Sequence, residues 1–353
     1  MKTSFWIFIL FLLISSDALS QEKNWQIDLF NFFDNTEFGR SVYKIPQTMT
    51  GVVIAPEFGV VWDSIHKANV GVSLLHEYGS PNAIDKFYPT AYYELSNGPV
   101  RFIMGAFPRS TAIVKYPRLF FQDSILYYRP NINGIFWEYL QNQSYFNLWL
   151  DWTGRQSKTM NEEFFMGFSG RYQPDIFYLQ HFGYMFHFAG KMDPVVDEPL
   201  HDNGLFLTSL GVDLSGRACF RKLEANAGWV IGLERSRAEN TGWLTSNGLL
   251  VETRIEYKWF GLFNTFYKGG GLMHFYNKLG NNLYWGDPAY RAKTYDRSDF
   301  YISFLRSHTV NIELTYSLNF MENRMYHEQM LKVIVNMNTL KNLLSTKDRK
   351  QAK

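Results

Sequence analysis

Four cations, Arg109, Lys115, Arg118 and Arg129, crowd into the stretch from Pro108 to Asn131, with Asp123 as the lone acid among them. Tyr116, Phe120, Phe121, Tyr127 and Tyr128 stand between them. A guanidinium grips a carboxylate or sulfate through two parallel hydrogen bonds, and an aromatic ring stacks on the face of a sugar. The segment therefore suits anionic solutes and oligosaccharides. It is also too apolar for a mobile surface loop, so other parts of the chain must cover it.

A second group occupies polar positions in alternating stretches: Asp151; His181 and His187; Glu252, Arg254, Glu256 and Lys258; and Glu313. Their signs are mixed, as befits side chains that pair across strands and hydrate an interior. His181 and His187 lie six residues apart, roughly 20 Å along an extended strand, too far to bind one metal ion together. The chain has no HExxH pattern, no nucleophile elbow and no glycine-rich phosphate loop. These residues call for no metal or cofactor, and the chain reads as a non-enzyme.

The elements that carry them have a period of two. From Thr309 to Phe320 the even positions are Val310, Ile312, Leu314, Tyr316, Leu318 and Phe320, and every odd position is polar. Glu252, Arg254, Glu256 and Lys258 alternate in the same way with Val251, Thr253, Ile255, Tyr257 and Trp259. The beat recurs through Phe146, Leu148, Leu150 and Trp152, and again from Leu223 to Leu233. Such alternation puts successive side chains on opposite faces of a strand. A soluble sandwich also alternates, but its strands run to about 5 or 6 residues. A tilted membrane strand needs ~9 to 11, and several segments here reach that length.

Read together, the segments number about sixteen, from 26–33 to 326–337, an even count as single-chain membrane barrels show. Connections are short at Asp63–Ile65, Ser96–Pro99, Gln141–Gln143, Tyr172–Pro174, Ser215–Arg217, Trp259–Gly261 and Arg306–His308. Between these they are long: 34–50, 78–88, 108–131, 153–160, 190–203, 236–246 and 269–297. Short turns on one rim and long loops on the other describe a closed transmembrane antiparallel β-barrel, an all-β fold. Ahead of it, Lys2, the apolar run Phe5 to Ile14 and the small residues Ala18 and Ser20 form a secretory signal peptide over 1–20. The barrel then spans 21–337, and a basic periplasmic tail occupies 338–353. Cys219 is the single cysteine, so no intramolecular disulfide forms. Lys plus Arg (35) balances Asp plus Glu (33), which gives no bulk charge for nucleic acid.

This layout resembles the porin-like barrels of the Gram-negative outer membrane as a class, over residues 26 to 337. The resemblance implies periplasmic short turns, extracellular loops and a polar lumen. As in general porins, it implies that the third long loop, Pro108 to Asn131 here, folds inward to narrow the barrel. The chain departs from the class at its end, where the basic tail follows Met337 in place of a terminal aromatic residue. TonB-dependent transporters, with a plug domain and about 22 strands, match poorly.

The function expected is passive uptake of small polar or anionic solutes, oligosaccharides among them. Arg109, Lys115, Arg118, Asp123 and Arg129 would form the constriction, and the alternating polar set the lumen wall. A non-conducting adhesin or assembly partner is the alternative, and an outer-membrane hydrolase stands behind both. Expected partners are outer-membrane lipid, lipopolysaccharide and a small polar solute, with a homo-oligomer left open and nucleic acid excluded.

Overall fold

The computed structural model describes residues 22–113, 116–192, 200–217, 219–237, 239 and 242–338. The expected signal peptide, Lys115 and nearly all of the basic tail lie outside them. Sixteen strands close into one antiparallel barrel. They are β1 (Glu22–Glu37), β2 (Gln47–Trp62), β3 (His66–Glu77), β4 (Lys86–Asn97), β5 (Val100–Pro108), β6 (Asn131–Gln141), β7 (Ser144–Gly154) and β8 (Glu162–Tyr172). The second half comprises β9 (Phe177–Ala189), β10 (His201–Asp213), β11 (Lys222–Ser236), β12 (Leu244–Tyr257), β13 (Phe260–Gly269), β14 (Thr294–Arg306), β15 (Val310–Met321) and β16 (Arg324–Asn338). Each strand pairs with its sequence neighbours, and β1 closes on β16 from Gln26↔Asn338 to Glu37↔His327. Closure leaves no free sheet edge, which a lipid environment demands because every backbone N–H and C=O must find a partner.

The alternation sorts the two faces. On β15, Leu314, Tyr316 and Phe320 point outward at 40–44% exposure, while Thr315, Ser317 and Asn319 are buried inside. The outer wall is apolar, as lipid requires. At the short-turn end the hairpins tighten with left-handed residues, Asp63 and Ser64 in one and Gly98 in another. On the opposite rim, β15 turns into β16 through Glu322 and Asn323, both with positive φ, the geometry of a two-residue primed turn.

Two long connections fold into the lumen. The segment from Arg109 to Pro130 touches inner faces around most of the wall. Tyr127 stacks on Phe32 at 4.3 Å, and the Tyr128 hydroxyl donates to Glu77 at 2.8 Å. Trp149 donates to the Tyr116 hydroxyl at 2.8 Å, and Phe120 meets Tyr184 edge-on at 5.6 Å. Arg118 reaches Asp299 on β14 and Lys332 on β16 reaches Asp123. Only an in-lumen position allows all of these at once. The second connection, 270–293, packs against the first: Gln122 N–H donates to the Trp285 carbonyl at 2.8 Å and Asp287 N–H to the Arg118 carbonyl at 2.9 Å. Glu234 on β11 anchors it by accepting from the Met273 and His274 N–H groups and the Tyr284 hydroxyl. Leu119, Phe120, Leu283, Tyr284 and Trp285 are buried to 1% or less, so the long-loop half of the lumen is packed like a protein core.

Candidate functional site

Of the expected constriction residues, Arg109, Arg118, Asp123 and Arg129 are inside the barrel, all but Arg129 in ion pairs. Arg109 meets Asp151 at 2.6 Å, both fully enclosed, and also donates to the carbonyls of Arg129 and Asn131. Arg118 pairs with Asp123 at 2.6 Å and Asp299 at 2.7 Å. Burial pushes the Asp123 carboxyl up, but Arg118 and Lys332 outweigh it and hold it well below the usual carboxylate range. Arg129 lies over the Trp285 ring at 4.4 Å. The charges of Arg109 and Arg118 are thus neutralised by acids on β7 and β14.

The lumen-wall set divides. Asp151, Glu252, Arg254, Glu256 and Glu313 share the inward parity of their strands. Arg254 pairs with Glu256 at 3.2 Å, and Glu313 accepts from Ser303 at 3.3 Å. Lys258 is not on the wall: β12 ends at Tyr257, and Lys258 stands exposed in the following turn over the Tyr257 ring. His181 and His187 are not on the wall either, because β9 faces the other way from the expectation. Tyr178, Phe182, Tyr184, Phe186 and Phe188 point inward against the packed loops, while Phe177 and Leu179 share the outward face with both histidines. An aromatic-filled lumen makes the inner face of β9 apolar, so apolar positions there do not mark lipid.

The outward turn of His187 completes a row that crosses five strands near the long-loop rim. Trp152, Phe164, His187, Asp202 and Arg235 stand directly opposite one another in register from β7 to β11, and Trp243 follows just before β12. Trp152 stacks on Phe164 at 4.8 Å and Phe164 on His187 at 4.8 Å. The His187 Nδ1 lies 3.5 Å from Asp202 Oδ1. Asp202 Oδ2 accepts from Arg235 Nε at 2.6 Å and Arg237 Nε at 3.0 Å, and Arg237 Nη2 reaches Oδ1 at 3.2 Å. Arg235 lies over the Trp243 ring at 4.3 Å.

That the row faces lipid follows from its neighbours of the same parity: Leu148, Met166, Leu179, Leu210 and Trp229 are 47–69% exposed. His187, Asp202 and Arg235 each fall within two residues of a strand end on the long-loop rim. Tryptophans at such a level belong to the aromatic girdle at the membrane–water boundary. A carboxylate on Nδ1 fixes the imidazole and leaves Nε2 as the basic nitrogen, which can take a proton from water. The guanidinium groups offer charged donors for an oxyanion or a phosphate. The row therefore sets a candidate general base beside charged donors at the membrane boundary of the long-loop rim. Asp202, Arg235, Arg237 and Trp243 were missed from the sequence because cross-strand register joins them, not spacing. Among the described residues no group of His, Cys, Asp or Glu is arranged to hold a metal ion.

Solved structures confirm the architecture. The barrel is similar to a loop-deletion variant of OmpT, an outer membrane protein of Vibrio cholerae (TM-score 0.56, 8% identity, 90% of this chain and 100% of that one). It is also similar to Pseudomonas aeruginosa OpdK with vanillate (TM-score 0.51, 10% identity, 90% and 99%) and to OccK2 from the same organism with glucuronate (TM-score 0.51, 11% identity, 90% and 98%). At such identities the likeness is one of fold, and it places the chain among porin-like outer-membrane barrels. No curated protein matches the sequence. The family model described as lipid A 3'-O-deacylase-type matches residues 15–339. That is an enzyme family, so the expectation of a non-enzyme, drawn from missing soluble-hydrolase motifs, is overturned. This outer-membrane barrel belongs to the lipid A 3'-O-deacylase-type family.

Proposed function

We propose that this barrel hydrolyses an acyl ester of lipid A in the outer leaflet, at the row centred on His187 and Asp202. The observation that carries the reading is an outward-facing His–Asp pair, flanked by two arginines and interfacial aromatics, at the level where a glycolipid's acyl linkages meet its headgroup. His187 Nε2 takes a proton from water as its oxygen attacks the ester carbonyl. Asp202 orients the ring and stabilises the imidazolium that forms. The remaining N–H groups of Arg235 and Arg237 are the donors for the tetrahedral oxyanion or a lipid phosphate. The intermediate collapses, and the departing alcohol takes the proton from His187, leaving a free fatty acid.

The test is mass spectrometry of lipid A from cells expressing the protein, which should lose one acyl chain. Loss of a general base costs about 10²- to 10⁴-fold in rate, so His187→Ala and Asp202→Asn should abolish the product while leaving barrel content unchanged. Full activity in both variants would place the reaction elsewhere.

A second reading, passage of small polar solutes, is supported by a chamber of about 690 Å³ beneath the inward-folded segment, bounded by Asn142, Gln143 and Gln173 near the short-turn end. Because the upper lumen is packed, wild-type conductance in planar bilayers should be small, and deleting residues 113–127 should raise it. Unchanged conductance in the deletion would refute this reading.

A further inference from the structure

The chamber itself is built with unequal chemistry on one strip of wall. Glu252 and Arg254 project into it from β12, two residues apart on one face, and so about 7 Å from each other at ~3.4 Å of rise per residue. They do not satisfy one another. Arg254 turns its Nε to Glu256 at 3.2 Å and the Tyr301 hydroxyl at 3.3 Å, and its side chain stays 47% exposed. Among the described residues the contact made by Glu252 is the amide of Asn226 at 3.3 Å. Opposite Arg254 in register stands Phe263, with its ring 5.7 Å from the guanidinium, and Phe121 lines the same chamber from the folded segment. A carboxylate with spare acceptor capacity, a guanidinium with spare donors and two rings therefore converge on one space. That space lies within the ~300–1,000 Å³ range of small-molecule pockets.

We infer that this periplasmic chamber binds a small zwitterion of amino-acid type, its ammonium on Glu252, its carboxylate on Arg254 and an apolar side chain against Phe263 and Phe121. The ligand's ammonium and carboxylate, with one hydrogen bond beyond each, span the separation of the two side chains. A simple anion would leave the spare acceptors of Glu252 unused, and a simple amine the spare donors of Arg254; each mismatch removes a charged hydrogen bond. The site lies on the inner wall, separate from the outer row around His187, and does not rest on the hydrolase reading.

The experiment is isothermal titration of the full chain, folded in detergent micelles, with L-phenylalanine, phenethylamine and 3-phenylpropionate as probes. L-Phenylalanine should bind one per barrel, and each analogue should bind at least about 10-fold more weakly, the cost of one charged hydrogen bond. Glu252→Gln should weaken phenylalanine and phenethylamine while leaving 3-phenylpropionate unchanged, and Arg254→Gln should weaken phenylalanine and 3-phenylpropionate while leaving phenethylamine unchanged. His187→Ala should alter none of them. No binding of phenylalanine, or equal binding of all three probes, would overturn the inference. If either chamber variant failed to fold, the comparison of probes on the unaltered protein would still decide it.

Discussion

The Arg109–Asp151 pair ties the inward segment to β7, and replacing Asp151 with Asn tests how much of the barrel's stability rests on that tie. Arg109 is 1% exposed and Asp151 0%, with 2.6 Å between them. The carboxylate also accepts from the Asn133 N–H at 2.9 Å. In Asp151→Asn one oxygen becomes an NH₂ donor, so the carbonyl oxygen that remains can accept from either Arg109 or Asn133 but not both. Arg109 stays charged, since a guanidinium does not give up its proton at any accessible pH. An enclosed charge stripped of its counter-ion costs about 3–5 kcal/mol, and a buried donor left without an acceptor adds about 1–3 kcal/mol where it cannot relax toward water. The assay is urea unfolding of the barrel in lipid vesicles by tryptophan fluorescence, to which Trp285, 5.1 Å from Arg109, contributes directly. A loss of about 3 kcal/mol or more, read as a lower midpoint at unchanged slope, is expected. Arg109→Gln with Asp151→Asn should cost less than the sum of the single changes by about 1–3 kcal/mol, the coupling of contacting groups. A loss below about 1 kcal/mol, or simple additivity, would refute the claim that the pair is a dry, mutually dependent anchor.

Other consequences follow from the same geometry. Leu314→Arg on the outer wall should destabilise the barrel by ~2–4 kcal/mol near the bilayer midplane, whereas Asn311→Ser on the inner wall should cost far less; equal losses in vesicle unfolding would contradict the assigned faces. A cysteine at Lys158, exposed in the 155–161 connection, should react with an impermeant maleimide on intact cells and one at Asn97 should not; the reverse pattern would invert the barrel. The hydrogen bond that the His274 ring donates to the Glu234 carboxylate, outweighing burial, raises the histidine's pKa above its ordinary value. A raised folded-state pKa makes its stabilisation of the 270–293 segment complete below the unfolded value and lost as pH climbs through the folded one. Protease nicking of that segment should therefore increase on going from pH 6 to pH 8, and His274→Gln should flatten the dependence.

The membrane barrel was legible because two solvents impose it. Lipid outside and polar groups inside force the period of two that runs from Thr309 to Phe320, and short turns alternating with long connections count the strands. The inward folding of the Pro108 to Asn131 segment was legible too, since Phe120, Phe121 and Tyr127 could not remain in water. Where the lumen is filled, the signal fails. β9 carries rings on both faces, and only the loops packed against Phe182, Tyr184 and Phe186 decide which face is in, sending His181 and His187 to the outside. The outward row was invisible for a related reason. Trp152, Phe164, His187, Asp202 and Arg235 come from five strands, and no spacing along the chain encodes the register that lines them up. The same holds for Arg109 and Arg118 of the inward segment: the sequence displays their charge, but Asp151 reaches Arg109 through the pairing of β6 with β7, and Asp299 on β14 meets Arg118 only because the barrel closes around the segment.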